Sequence, residues 1–375
     1  MDKIRLMLVA QANGGVSEYL KGFIKYINKE KYEITMVLSN QYEVEKEIFI
    51  NLGCSIYFVD MAREINLKQD ILASISIRKI IKKIKPDIIY AHSSKAGVLT
   101  RLSISKVKVP IIYNAHGWAF NMKINNLKRR LYSSIEKICA YNTSKIICIS
   151  EYEMESALRL NICKKNKIST IYNGIDLGKV TNSKKNKFLE SIGFNENSVI
   201  IGQVGRLDEQ KNPLLFVDIA KEIAEQYNDV KFIMVGDGGL RKDVESRVEE
   251  YKLKERFYIS GWTTNVSEYI SCFDIGMLTS KWEGFGLVLV EYMAAGIPVV
   301  ASNVDGIPNV IENNISGILC TSDEKKQFVN SINEILNNKL LAQRLSDNGK
   351  KRAYSKFSME RVVAEHSIVF EELIK

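Results

Sequence analysis

Histidine and cysteine are too scarce and too scattered in these 375 residues to build a metal centre or a disulfide framework. The six cysteines (Cys54, Cys139, Cys148, Cys163, Cys272 and Cys320) include no C-x-x-C pair and have no histidine at ligand spacing. Zinc and disulfide readings therefore have nothing to stand on, and the thiols read as core residues. No run of about twenty uncharged apolar residues exists, so no segment is expected to span a membrane. The first ten residues carry an early charge and a short apolar run that leads into Gly14-Gly15, with no small-residue cleavage site. They read as a first strand and not as a signal peptide, which puts the chain in the cytoplasm.

What is present is enough chain for two domains, each with its own core. The net charge of +9 is uneven: residues 1–180 carry 29 Lys and Arg against 16 Asp and Glu, whereas residues 181–375 carry 24 against 28. The basic surplus lies wholly in the first half, as expected of a domain that faces a polyanion, either nucleic acid or an anionic membrane; a Lys-rich surface that merely keeps the protein soluble is the plainer alternative.

The chain is organised around residues 280–302, SKWEGFGLVLVEYMAAGIPVVAS, which read as a loop, a helix, a turn and a buried strand. Glu283 sits in the Gly-punctuated loop Glu283-Gly284-Phe285-Gly286, and Glu291 interrupts the apolar run from Leu287 to Ala295. A carboxylate inside such a run needs a purpose, because burying an unpaired charge is costly. With a helix starting near Leu287, Glu291 lies about one turn in and still points to the helix mouth, where backbone N–H groups favour an anion. Two carboxylates that accept paired hydroxyls, with a phosphate between them, match a nucleotide sugar.

Residues 3–10 form an apolar strand that reaches Gly14-Gly15, followed by apolar positions at helical spacing (Leu20, Phe23, Ile24, Ile27). Strand, glycine turn and helix make the first unit of a doubly wound sheet, and the glycines let backbone approach a ligand. The strand at 87–91 delivers His92-Ser93-Ser94-Lys95, and the strand at 109–114 delivers His116, to the sheet edge where ligands of open α/β sheets gather. Within 121–140, Lys123, Lys128, Arg129, Arg130 and Lys137 alternate with Met122, Leu127, Leu131 and Ile135. This pattern fits a helix on a membrane surface or an ordinary amphipathic helix packed on the sheet. A further basic run holds Lys79, Lys82, Lys83 and Lys85. In the second half the strand at 199–204 opens onto Gly205-Arg206, with Lys211 five residues on, and two cations about a turn suit a diphosphate.

The spacing E-x7-E followed by A-A-G-x-P-V-V-A-S, in register with G-R-x4-K, resembles family 4 glycosyltransferases of the GT-B fold, with motif matches from Gly14 to about Ser316. The segments holding His92 and His116 resemble the subgroup that builds capsule and exopolysaccharide repeat units. Asn309, where the family often has an acid, and Thr279-Ser280, in place of a common Pro-Ser, depart from its pattern.

The resemblance implies two doubly wound Rossmann-like domains facing each other across a cleft. The expected division is residues 1–180 as the acceptor-side domain, a linker over 181–198 and a donor-binding domain over 199–357, with a final helix over 358–375 crossing back to the first domain. It implies a retaining transfer from a nucleotide diphosphate sugar, with UDP as the expected carrier, to a hydroxyl of a lipid-linked saccharide. Arg206 and Lys211 would stabilise the diphosphate, Glu283 and His116 would orient the sugar, and Glu291 would hold the ribose. Gly14 and Gly15 would add backbone donors, and Gly236, Trp262, Gly284, Phe285, Gly286 and Leu287 would complete the donor site. His92, Ser93, Ser94 and Lys95 are candidates for the acceptor and its phosphates, and Lys123, Lys128, Arg129 and Arg130 for an anionic membrane. No D-x-D triplet occurs, so neither metal nor other cofactor is expected. A sugar-nucleotide epimerase of the same fold and a non-catalytic basic binding protein are the alternatives; nucleic acid is not an expected partner, because Lys dominates where RNA binding favours aromatic and Arg clusters.

Overall fold

The computed structural model describes residues 2–11, 14–62, 64–104, 109–179 and 185–374. The chain forms two compact units, Met1–Gly174 with Met359–Lys375, and Ile175–Ser358. Runs rich in Ile and Val become strands buried on both faces, and the paired strands are parallel throughout.

In the first unit β1 (Ile4–Ala10), α1 (Gly15–Tyr26), β2 (Tyr32–Leu38), α2 (Lys46–Asn51), β3 (Ser55–Phe58), α3 (Leu67–Ile84), β4 (Ile88–His92), α4 (Ser94–Ser103), β5 (Ile111–Asn114), α5 (Asn126–Ala140), β6 (Lys145–Cys148), α6 (Glu151–Arg159) and β7 (Ile168–Thr170) follow in turn. The sheet order is β3-β2-β1-β4-β5-β6-β7, so the winding reverses between β1 and β4. Strand periodicity sorts β1 cleanly: Leu6, Leu8 and Ala10 join one core with residues of α1, whereas Met7 and Val9 join the other with Ala73, Ile77 and Ile81 of α3. The closing helix α15 (Met359–Ile374) belongs to this unit, burying Met359, Val362, Val363 and Phe370 in the α1 core. Gly22 makes room for it, since a β-carbon there would lie 2.9 Å from the Met359 side chain.

The second unit contains α7 (Lys185–Ser191), β8 (Val199–Val204), α8 (Pro213–Gln226), β9 (Val230–Val235), α9 (Arg241–Glu250), β10 (Phe257–Ile259), α10 (Val266–Ile270), β11 (Ile275–Leu278), α11 (Leu287–Ala294), β12 (Val299–Ser302), α12 (Ile307–Val310), β13 (Ile318–Cys320), α13 (Lys325–Asn337) and α14 (Lys339–Lys356). Its sheet order is β10-β9-β8-β11-β12-β13, and the reversal falls between β8 and β11. Ligands of doubly wound sheets collect at the carboxyl ends of the strands flanking such a reversal. Both reversals carry the candidate residues: His92 ends β4, and the Arg206 and Glu283 loops follow β8 and β11.

The expected linker over 181–198 is a different object. Residues 181–184 lie outside the described residues, but α7 buries Leu189 fully, Phe188 packs edge-on against Tyr269 at 4.7 Å, and Phe194 is buried. These apolar side chains bind the segment into the second unit, whose boundary falls at Ile175 rather than after 180.

Candidate functional site

In the second unit the site is built from two loops sewn together at the β8–β11 edge. The loop after β8 is fixed by backbone bonds, with Gly205 donating to the Val235 carbonyl and Leu207 to Asp237, and by the Asp208 carboxylate accepting the Lys211 amide at 3.1 Å. Gly236, at φ 139°, follows β9 and lies against this loop, where a β-carbon would lie 2.0 Å from the Gly205 carbonyl oxygen. This close approach of two backbones is enough to require glycine there.

From this loop Lys211 reaches the Glu283 carboxylate, which also accepts from the Ser280 hydroxyl at 3.3 Å. The Lys211 and Glu283 side chains are only 15% and 12% exposed, so the pair is nearly dry. Arg206 is 62% exposed, with one arm 3.2 Å from Asp208 and another donating to the Gln210 side-chain oxygen at 3.0 Å. Gln210 then stitches the two loops, donating from its amide to the Trp282 carbonyl and accepting the Lys281 N–H at its own carbonyl.

The Glu283 peptide is gripped from both sides. Its N–H donates to the Asp305 carboxylate at 3.0 Å, and its carbonyl accepts from Gly306 at 2.9 Å. Beyond it Phe285 is buried edge-on against Phe357 at 5.5 Å, while Gly286, at φ 86°, starts α11 without a side-chain cap. The opening of α11 thus combines exposed Arg206 and half-buried Gly284 with helix amides free of side-chain capping, a geometry suited to an anion. Glu291 is half-buried on the second turn of α11. Its neighbour Tyr292 sets the helix register: the hydroxyl accepts the Val204 N–H at 2.8 Å, and the ring fills the space that Gly276 leaves, 2.4 Å from a would-be β-carbon. Trp262 stands 78% exposed after β10.

In the first unit His92 and His116 do meet. His92 Nδ1 lies 2.9 Å from His116 Nε2, and the His116 amide donates to the Asn114 side chain, holding the residue at a left-handed φ of 53°. His92 is fully buried and reaches the edge only through His116, which is half-buried. Beneath them the Tyr90 hydroxyl lies 2.7 Å from His366 Nε2, and His366 Nδ1 donates to the Val362 carbonyl at 2.7 Å. With Nδ1 as donor, His366 Nε2 accepts from Tyr90. Tyr19 sits edge-on to His116 at 4.7 Å.

Burial holds all three rings neutral at ordinary pH. It drives His92 well below its usual range, reinforced by His116 and His366, and brings His116 to about 3 and His366 to about 4. A neutral His116 can orient hydroxyls but brings no positive charge, which leaves cationic work to Arg206 and Lys211.

Ser93, at φ 71°, starts α4, and its buried hydroxyl lacks a hydrogen-bond partner among the described residues, as does His92 Nε2. Ser94 opens the helix beside it. Lys95 is committed elsewhere, bonded to both Asp70 oxygens at 2.7 and 2.8 Å and to the Glu64 carbonyl. Gly14 has φ 74°, and neither it nor Gly15 would have a β-carbon within 4 Å of another group, so both stand on open space. On α5, Leu127, Leu131 and Ile138 face outward from one stripe, flanked by Lys128 on one side and Arg130 and Lys137 on the other. Lys123 is exposed just before the helix, but Arg129 turns the other way and donates to the Phe120 carbonyl at 3.2 Å. Among the described residues no helix is long and apolar enough to cross a membrane, and no three His, Cys, Asp or Glu side chains gather where they could hold a metal ion.

Asp305, Gln210, Tyr292, Tyr19, Tyr90 and His366 are the members that sequence reasoning missed. Asp305-Gly306 lies just past β12, after Asn303 and Val304, and an acid near a strand's ligand edge was the available signal.

Residues 13–179 match the family described as Glycosyltransferase Family 4, and residues 184–352 match Glycosyl transferases group 1. The chain is 31% identical over 320 residues to an Escherichia coli protein named UDP-Gal:alpha-D-GlcNAc-diphosphoundecaprenol alpha-1,3-galactosyltransferase, covering 84% of this chain and 82% of that one. It is 25% identical over 374 residues to the capsular polysaccharide biosynthesis glycosyltransferase CapM of Staphylococcus aureus, covering 95% and 94%. The fold matches that of Anabaena HepE, solved with UDP and glucose, at a TM-score of 0.83 and 18% identity over 98% of this chain and 99% of that one. With both halves matched and the paired cation and carboxylate loops in place, the chain belongs to the family 4, group 1 glycosyltransferases of the GT-B fold.

Proposed function

We propose that this glycosyltransferase moves a sugar, with retention, from a UDP-sugar to a hydroxyl of a polyprenyl-diphosphate-linked saccharide. The observation that carries the donor half is the nearly dry Lys211–Glu283 pair beside exposed Arg206 at the β8–β11 reversal. A donor diphosphate entering there meets two cations, and Glu283 is then freed to accept sugar hydroxyls. The bond from the anomeric carbon to the β-phosphate oxygen breaks, and the acceptor oxygen bonds that carbon on the same face. The acceptor proton leaves with the departing phosphate oxygen. Arg206 and Lys211 match the growing charge without a metal, each contributing about 3 kcal/mol to the transition state. Glu291 holds the ribose, neutral His116 orients the sugar, and Gly14-Gly15 supply amides.

The acceptor half rests on the E. coli relative, named for its action on a diphosphoundecaprenol-linked sugar, and on α4. The buried Ser93 hydroxyl and the first-turn amides of Ser94 and Lys95 suit a phosphate, with the Lys95 side chain held back by Asp70. The α5 stripe of Leu127, Leu131 and Ile138, with Lys128, Arg130 and Lys137 beside it, suits the anionic surface in which such an acceptor sits. Each cation near that surface adds about 1 kcal/mol.

The test is transfer from a panel of UDP-sugars to an N-acetylglucosaminyl diphosphate lipid, followed by mass spectrometry, with and without EDTA. Product should require the acceptor and survive EDTA. Consumption of UDP-sugar to its epimer, with no acceptor needed, would replace transfer with epimerisation.

A further inference from the structure

Helix α3 carries its apolar side chains on the wrong face for a helix that only covers a sheet. Ala73, Ile77 and Ile81 pack inward, yet Leu67, Ile71, Leu72 and Ile75 are 76%, 60%, 64% and 46% exposed. At about 100° per residue these four fall within an arc of about 140°, opposite the buried stripe. The same outer arc continues toward the helix end as Lys79 and Lys82, with Lys83 at its edge, all exposed, and with Lys68 among the apolar residues. Outward, then, α3 is apolar over its first two turns and basic over its last two.

We propose that this ridge is a second membrane-inserting element, seating Leu67, Ile71, Leu72 and Ile75 among the acyl chains of an anionic bilayer while the lysines behind them meet the headgroups. The proposal rests on the docking reading given for α5 and extends it. Charge chooses the occupant: the acid within the helix, Asp70, is taken by Lys95, which leaves the outer face positive. An apolar ridge rimmed by lysines complements anionic lipid. The ridge is also a built end. Asn66 caps it by accepting the Gln69 N–H at 3.3 Å, and the Gln69 side chain donates to Asp60 at 2.6 Å.

Position gives the ridge a purpose. The first turns of α3 follow β3 and lie at the same sheet edge as the acceptor loop, and Lys95, next to Ser93 and Ser94, is bonded to Asp70 and to the Glu64 carbonyl just before the helix. Insertion of α3 thereby fixes the height of the α4 N-terminus above the bilayer, within reach of a diphosphate at the headgroup level.

The experiment labels single thiols with an environment-sensitive dye. Five of the six native cysteines are buried and Cys163 is half-buried, so Leu72→Cys and Leu131→Cys are each made with Cys163→Ser in the full-length enzyme. With phosphatidylglycerol vesicles carrying brominated acyl chains, both labels should shift to the blue and be quenched. In parallel, the triple change Ile71→Ser, Leu72→Ser and Ile75→Ser should weaken vesicle partition at least about tenfold, while UDP affinity by titration calorimetry stays unchanged. Quenching at position 131 alone would overturn the α3 ridge and leave the α5 reading standing; quenching at neither would remove both. A dimer in sedimentation that the triple change abolishes would make the ridge a contact between copies instead and equally overturn the proposal.

Discussion

Removing the Asp305 carboxylate should loosen Glu283 without touching any group that meets the substrate. The carboxylate accepts the Glu283 N–H at 3.0 Å while the residue itself sits at a left-handed φ of 46°. A hydrogen bond to a charged group contributes about 1.5–3 kcal/mol, so losing it should lower turnover about 10- to 100-fold if the loop must be held for transfer. The backbone adds a second, separable term: a β-carbon at this φ costs about 1–2 kcal/mol unless the residue is Gly, Asn or Asp. Asp305→Asn keeps an acceptor and tolerates the backbone, so it should stay near wild type in both turnover and melting temperature. Asp305→Gly should lose turnover with little loss of stability from strain, and Asp305→Ala should lose both. The assay is kcat and KM for sugar transfer beside a thermal melt, with UDP binding measured to confirm that the cation loop is intact. Wild-type turnover in Asp305→Gly, or Asn behaving no better than Gly, would refute the clamp.

Three further outcomes follow from the geometry. Lys211→Met removes a leaving-group cation and strands a nearly buried Glu283, so it should cut turnover about 100-fold and lower stability; Lys211→Met with Glu283→Gln should recover the stability but not the turnover, in paired melting and kinetic measurements. Glu291→Ala should weaken UDP affinity in calorimetry by more than it lowers turnover at saturating donor, and unchanged affinity would remove Glu291 from the ribose. All three histidines have folded values below the ordinary 6.5, so the unfolded chain takes up protons first. Their contribution to stability is complete above about pH 6.5 and is lost as pH falls toward the folded values; the melting temperature should therefore drop between about pH 7 and about pH 5, and the drop should shrink in His366→Asn.

Much of the second unit was legible because its chemistry is local. Glu283 and Glu291 stand out against glycines and an apolar run, and Arg206 and Lys211 flank one turn, so spacing alone reveals them. What holds these residues is not local. Asp305 lies 22 residues from the peptide it grips, Tyr292 lies 88 from the amide it accepts, and His366 lies 347 from Tyr19. No periodicity links such pairs, and only the winding of the sheet brings them together. The same limit applies to His92, which a strand end advertises as a ligand residue but which burial turns into a support for His116. Lys95 reads as a free cation until Asp70 is found beside it. On α5 the sequence left two readings open, and the structure shows a helix that packs through Glu136, Cys139 and Ala140 while Leu127, Leu131 and Ile138 stay exposed.

The central claim is transfer with retention onto a lipid-linked sugar, and it is tested most directly by following the anomeric carbon. Carbon-13 NMR of the reaction of an α-linked UDP-sugar labelled at C1 with the N-acetylglucosaminyl diphosphate lipid, in vesicles and with EDTA present, reports the fate of that one bond. The account predicts a new α-glycoside signal that grows as UDP is released and that is absent from the Lys211→Met variant. A β-glycoside, or label that ends as free sugar or as a different UDP-sugar whether or not the lipid is present, would contradict it.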